Sequence, residues 1–211
     1  MSRVPGFSLV IAAVFGAFAC DRVVPPSAPT AAAGTPAVNA ASAAPHGGGV
    51  GEKALSEEGS TVTTASLRFD LPDGWRREQP SSGMRLAQAV VSGEAGPGEL
   101  AVFHFGAGKG GGVESNFERW LGQIELAAGG EPERGELAAA GFKITWIDAR
   151  GTLLPSGMGS GPTTPQPGFR LLGAVVEGEG GPFFFKVTGP EATLAREHAA
   201  FLAMHRGVRR P

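Results

Sequence analysis

Between Met84 and Leu126 the chain runs through two apolar stretches, a glycine-rich turn between them and an amphipathic stretch after them. This order constrains the fold more than any other segment. Met84-Arg-Leu-Ala-Gln-Ala-Val-Val91 and Glu99-Leu-Ala-Val-Phe-His-Phe105 flank Glu94-Ala-Gly-Pro-Gly98, the pattern of an antiparallel strand pair. In the second stretch Leu100, Val102 and His104 alternate with Ala101, Phe103 and Phe105, so both faces are mostly apolar. A strand of this kind belongs inside a sheet covered on both sides. After Gly106 to Gly112, Ser115-Asn-Phe-Glu118 has the spacing of a capping box and predicts a helix start. Phe117, Trp120, Leu121 and Ile124 then fall at i, i+3, i+4 and i+7, one face of a helix, while Glu118, Arg119 and Gln123 turn outward.

The rest of the C-terminal part reads as strands closed by a second helix. Leu67, Phe69 and Leu71 alternate with charged residues before a Pro72-Asp-Gly74 turn. Phe142, Ile144 and Trp146 define another strand, with Gly151-Thr-Leu-Leu154 a weak continuation. Residues 155 to 168 form a Gly, Pro, Ser and Thr loop longer than most connections, whose composition predicts disorder. Phe169 to Glu177 and Pro182 to Val187 pair around Gly178-Glu-Gly-Gly181. Thr188-Gly-Pro-Glu191 has helix-start chemistry, and Leu194, His198, Phe201, Leu202 and His205 share one face of the helix that follows. The fold class read from this order is α+β, an antiparallel sheet flanked by helices.

Upstream of residue 60 the composition changes. Val23 to Ser60 is dominated by Ala, Pro, Gly, Ser and Thr and reads as a disordered tether. Arg3 precedes the apolar run Phe7 to Phe18, which has the length of a secretory signal core and is too short to favour a spanning helix. The run ends at Ala17-Phe-Ala-Cys20 with small residues three and one before the only cysteine. This resembles the lipobox of bacterial lipoproteins, and the resemblance implies that the Cys20 thiol is acylated and becomes the mature N-terminus. Phe18 departs from that pattern, and ordinary cleavage after Ala17-Phe18-Ala19, leaving Cys20 free, is the competing reading. The organisation expected is therefore a lipoprotein signal peptide at 1–19, a lipidated Cys20 with its tether at 20–64, a globular domain at 65–207 and a basic tail at 208–211.

Leu71-Pro-Asp-Gly-Trp75, with the order of elements after it, resembles the start of PsbP-like domains and implies a PsbP-like α/β/α sandwich over about residues 65 to 207. Met84-Arg-Leu-Ala-Gln88, Phe105-Gly-Ala-Gly108 and Asn116-x-x-Arg-Trp120 are similar to segments of uncharacterised bacterial lipoproteins, a resemblance that implies no particular activity.

The chemistry-bearing residues are sparse. The formal net charge is −2 with no basic stripe, which argues against nucleic acid as a partner. One cysteine rules out an intramolecular disulfide or a multi-thiolate metal site. Gly106-Ala-Gly-Lys-Gly-Gly111 matches G-x-G-x-x-G, but the chain has 34 glycines and the flanking strands read as antiparallel, so neither nucleotide nor cofactor is expected. His46 is a linker residue, His104 a strand residue, and His198 and His205 are seven apart rather than the four that zinc helices use. No Gly-x-Ser-x-Gly elbow and no paired carboxylates stand out. Arg85, Lys109 and Arg119 are the charges able to frame a small anion or partner site, set against the commoner role of solvated or paired surface groups.

These observations lead to one expectation: a lipid-anchored, non-catalytic binding or assembly module of the cell envelope, facing periplasm or exterior. Its contacts would be the membrane, through the lipid, and an envelope protein. A small-ligand carrier and an envelope hydrolase with a scattered site are the alternatives.

Overall fold

A computed structural model describes residues 56–156 and 161–211. Cys20, the signal-like run, His46 and most of the tether lie outside the described residues. Eight antiparallel strands form the main sheet: β4 (Trp75–Glu78), β5 (Arg85–Val91), β6 (Gly98–His104), β7 (Ile124–Leu126), β8 (Glu133–Ala139), β9 (Phe142–Leu153), β10 (Gln166–Glu177) and β11 (Phe183–Pro190). Their order is β4-β5-β6-β11-β10-β9, and β9 is long enough for its outer edge to carry β8 and β7 one after the other. Three short strands, β1 (Ser56–Glu58), β2 (Thr61–Thr63) and β3 (Arg68–Asp70), make a second antiparallel sheet.

One helix lies on each face. Helix α1 (Val113–Leu121) buries Phe117 and Trp120 against Ile147, Ala149, Leu171, Val175 and Phe184. Gly173 is the reason Trp120 can lie so close, since a Cβ there would sit 2.6 Å from the indole. Helix α2 (Glu191–Arg206) buries Leu194, Phe201 and Met204 on the opposite face, together with Leu67, Phe69 and Leu71 from around β3. None of the helices among the described residues is long and apolar enough to cross a membrane.

Several expectations change at their edges. The capping box does not form. Helix α1 starts three residues earlier, with Gly112 rather than Ser115 as N-cap, and Ser115 Oγ donates to Gly112 O at 3.0 Å. Asn116 takes over the organising role, its buried amide donating to the carbonyls of Gly110 and Gly112 at 2.9 and 2.8 Å. The helix ends at Leu121, and Ile124, read as its last apolar residue, opens β7 instead. Thr188 is not a cap: it pairs with Glu99 inside the sheet, and α2 begins at Glu191.

Gly151 to Leu153 continues β9 without a break. Strand β8 has no counterpart in the sequence reading. It joins β9 through Ala140-Gly141, both at positive φ (49° and 85°), as a two-residue primed turn requires. Strand β1 and strand β2 fall before residue 65, inside the stretch that reads as tether. The basic tail also docks: Arg209 exchanges backbone hydrogen bonds with Arg68 and pairs with Asp70 at 2.8 Å, while Val208 is buried.

Candidate functional site

The polar centre of the α1 face is built by strand register. Gln88 on β5, Ala101 on β6, Lys186 on β11 and Gly173 on β10 stand opposite one another in turn, so they share that face. Arg85 would point the other way in a regular strand, since it lies an odd number of residues from Gln88. An irregularity between Arg85 and Ala87 sets Arg85 opposite Phe103, a residue packed on the α1 side. The β-bulge therefore turns Arg85 toward Gln88 and Lys186.

The groups are held by three separate sets of hydrogen bonds. Arg85 Nη1 donates to Gln88 Oε1 at 2.7 Å and pairs with Glu99 Oε1 at 2.9 Å. Gln88 Nε2 donates to Glu99 Oε2 at 3.4 Å. Lys186 Nζ donates to Gln123 Oε1 at 2.9 Å, just beyond the end of α1. Arg119, exposed on α1, donates to Asn116 Oδ1. Gln88 is buried and the Arg85 side chain is only 7% exposed, so this part of the floor is set into the sheet, with Arg119 exposed at its rim.

Electrostatically the floor is positive. Burial pushes the Lys186 ammonium below its usual range; Arg85 and then Arg119 add to this, and Glu99 opposes it. Three cations thus act around one carboxylate, and two of them, Lys186 and Arg119, have neutral amides as their hydrogen-bond partners.

Of the three positions singled out from sequence, the structure brings Arg85 and Arg119 to this floor. Lys109 lies exposed in the Gly106–Gly111 loop, with its N–H on Gly106 O at 3.2 Å, and is not among the charges acting on Lys186. Lys186 was missed. Within Phe-Phe-Phe-Lys-Val it reads as one polar residue of a strand, and only the register and the bulge reveal its neighbours. The glycine loop joins an antiparallel strand to α1, so the parallel crossover of a dinucleotide site is missing there.

The opposite face carries a different charge cluster. Arg170 grips both carboxylate oxygens of Asp148, through Nε at 2.8 Å and through Nη2, and both side chains are buried. Arg150 Nη2 lies 3.5 Å and His198 Nε2 3.9 Å from the same carboxylate. A buried carboxylate occupied by a bidentate guanidinium is a structural tie. His104 stacks on Phe183 at 4.1 Å with Nδ1 against Pro182 O, also a packing role. Among the described residues no group of three or more His, Cys, Asp or Glu side chains converges as metal ligands would.

An open groove of about 580 Å³ runs between the β5–β6 turn and the start of α2, lined by Ser92, Glu94, Thr193, Arg196 and Glu197 among others. Its charges are engaged: Arg196 with Glu94 at 3.4 Å, and Glu197 with the Trp75 indole N–H at 2.8 Å. The interface between helix and sheet, where a carrier would hold an apolar ligand, is filled by Phe117, Trp120 and Phe184. No protein family matches the chain, and no curated protein matches it either.

Proposed function

We propose that this protein is a non-catalytic binding or assembly module of a bacterial cell envelope, anchored through an acylated Cys20 and carried on an Ala/Pro/Gly-rich tether. The observation that carries the binding role is the positive floor of Arg85, Lys186 and Arg119 beside α1. Its cations are fixed by amides and a bulge, and no nucleophile with an adjacent base stands among the groups that line it. Preorganised charge of this kind recognises a partner at little ordering cost.

The anchor rests on the sequence: Ala17-Phe-Ala-Cys20 after a short apolar run, then a tether with few large side chains. A sheet with one helix on each face, and a buried Trp75 just after Pro72-Asp-Gly74, support the PsbP-like reading of the domain. That likeness concerns fold and brings no activity with it.

Fatty-acid labelling of the full chain tests the anchored reading. Wild type should incorporate label and extract with detergent, and Cys20→Ala should lose both. A wild-type chain that stays unlabelled and aqueous would overturn it.

A further inference from the structure

We infer that the floor formed by Arg85, Lys186 and Arg119 is a binding site for a phosphate group. The inference deepens the binding-module reading and rests on it by naming the chemistry recognised.

Three observations converge. The sheet itself positions the cations: register puts Lys186 in line with Gln88, and the bulge brings Arg85 to the same face. Helix α1 closes the site from the side, with Trp120 seated over Gly173, the residue paired with Lys186, and Arg119 one position before it. The charges do not cancel. Glu99 engages Arg85, but Lys186 donates to Gln123 and Arg119 to Asn116, both neutral. Lys186, Arg85 and Arg119 against the single carboxylate of Glu99 leave an excess of two positive charges, the complement of a phosphate monoester dianion.

Phosphate also suits the donor geometry. A guanidinium offers a planar fork and an ammonium a point charge, the two modes by which phosphate oxygens are bound. An oxyanion placed between Lys186 and Arg119 would replace mutual repulsion of the cations with attraction to each. Gln123 and Asn116 lie on the same element as Arg119 or just after it, so they can hold the cations in place while the oxyanion docks. Two sources share this chemistry, a soluble phosphate or phosphomonoester and a phospholipid headgroup. A domain tethered at a membrane can meet both.

Isothermal titration of the full chain with inorganic phosphate at pH 7 tests the site. Saturable one-to-one binding is expected, weakened at least tenfold in Lys186→Gln and several-fold in Arg119→Gln, and unchanged in Arg196→Gln on the exposed side of α2. Arg119 is a surface position, so its variant keeps the test sound even where Lys186→Gln unfolds, which a thermal melt would show. Heats that do not saturate, or equal affinities in all three variants, would overturn the inference.

A second arm distinguishes the sources. Phosphatidic acid vesicles, whose headgroup is a phosphomonoester, that bind with the same dependence on Lys186 and Arg119, against phosphatidylcholine vesicles that do not, point to a headgroup; binding of free phosphate alone points to a soluble ligand. A chain that still carries its acyl group yet binds neither would overturn the phosphate site and leave the anchored reading standing. A chain that binds phosphate without an acyl group would do the reverse.

Discussion

Burial lowers the basicity of both Lys186 and His205, and of the two only Lys186 belongs to the proposed phosphate site. His205 is sealed between Phe201 and Phe185, with ring centroids 4.4 and 4.8 Å away, and its Nδ1 donates to Phe201 O at 2.7 Å. Its Nε2 is buried without a hydrogen-bond partner. Desolvation accordingly pushes its pKa down to about 4, with the Phe201 hydrogen bond opposing the shift. The unfolded chain, with a histidine pKa near 6.5, binds more protons than the native one between about pH 6.5 and pH 4. Stability from this residue is therefore complete above that window and is lost as the pH falls through it, by roughly 3 kcal/mol in all. Urea midpoints of the wild-type chain should drop between pH 7 and pH 4.5 by more than those of His205→Leu. Equal drops would show that His205 does not carry the effect.

At the scale of elements, hydrophobic periodicity made most of the sheet legible. Strands β5, β6, β10 and β11 announce themselves because both of their faces are apolar, as interior strands require. Strand β8 gave no such signal: in Glu133-Arg-Gly-Glu-Leu-Ala-Ala139 no residue is fully buried, and only the half-buried Leu137 and Ala139 pack against the core. The end of α1 was misplaced because Ile124 continues the helical spacing while its side chain is buried from a strand.

The candidate site was half legible for a similar reason. Charge type singled out Arg85 and Arg119, but a β-bulge and a cross-strand row leave no mark in local sequence, so Lys186 stayed hidden and Lys109 stood in its place. Trp120 belongs to this scale too. It is 3% exposed and packs on the sheet through Gly173, so Trp120→Ala should destabilise by about 3 to 5 kcal/mol in urea melts. Arg119→Ala, one residue away and exposed, should stay within about 0.5 kcal/mol. The reverse order would mean that α1 presents Trp120 outward.

For the molecule as a whole, the two faces of the sheet divide the work. The α2 face holds the larger apolar cluster, the Asp148–Arg170 tie and the docked C-terminal residues, all of which serve cohesion. The α1 face gives part of its area to charge, a costly use of a sheet surface unless something is bound there. On the proposed function, the domain meets its partner through the α1 face. A photoreactive residue at exposed Glu118, beside Arg119, tests this most directly when the full chain is expressed in intact cells and irradiated. A discrete crosslinked adduct is expected from position 118, absent when the same residue is placed at Arg196 on α2, and lost from position 118 when Lys186→Gln is added. Equal adducts from both helices, or an adduct from position 118 indifferent to Lys186, would contradict it.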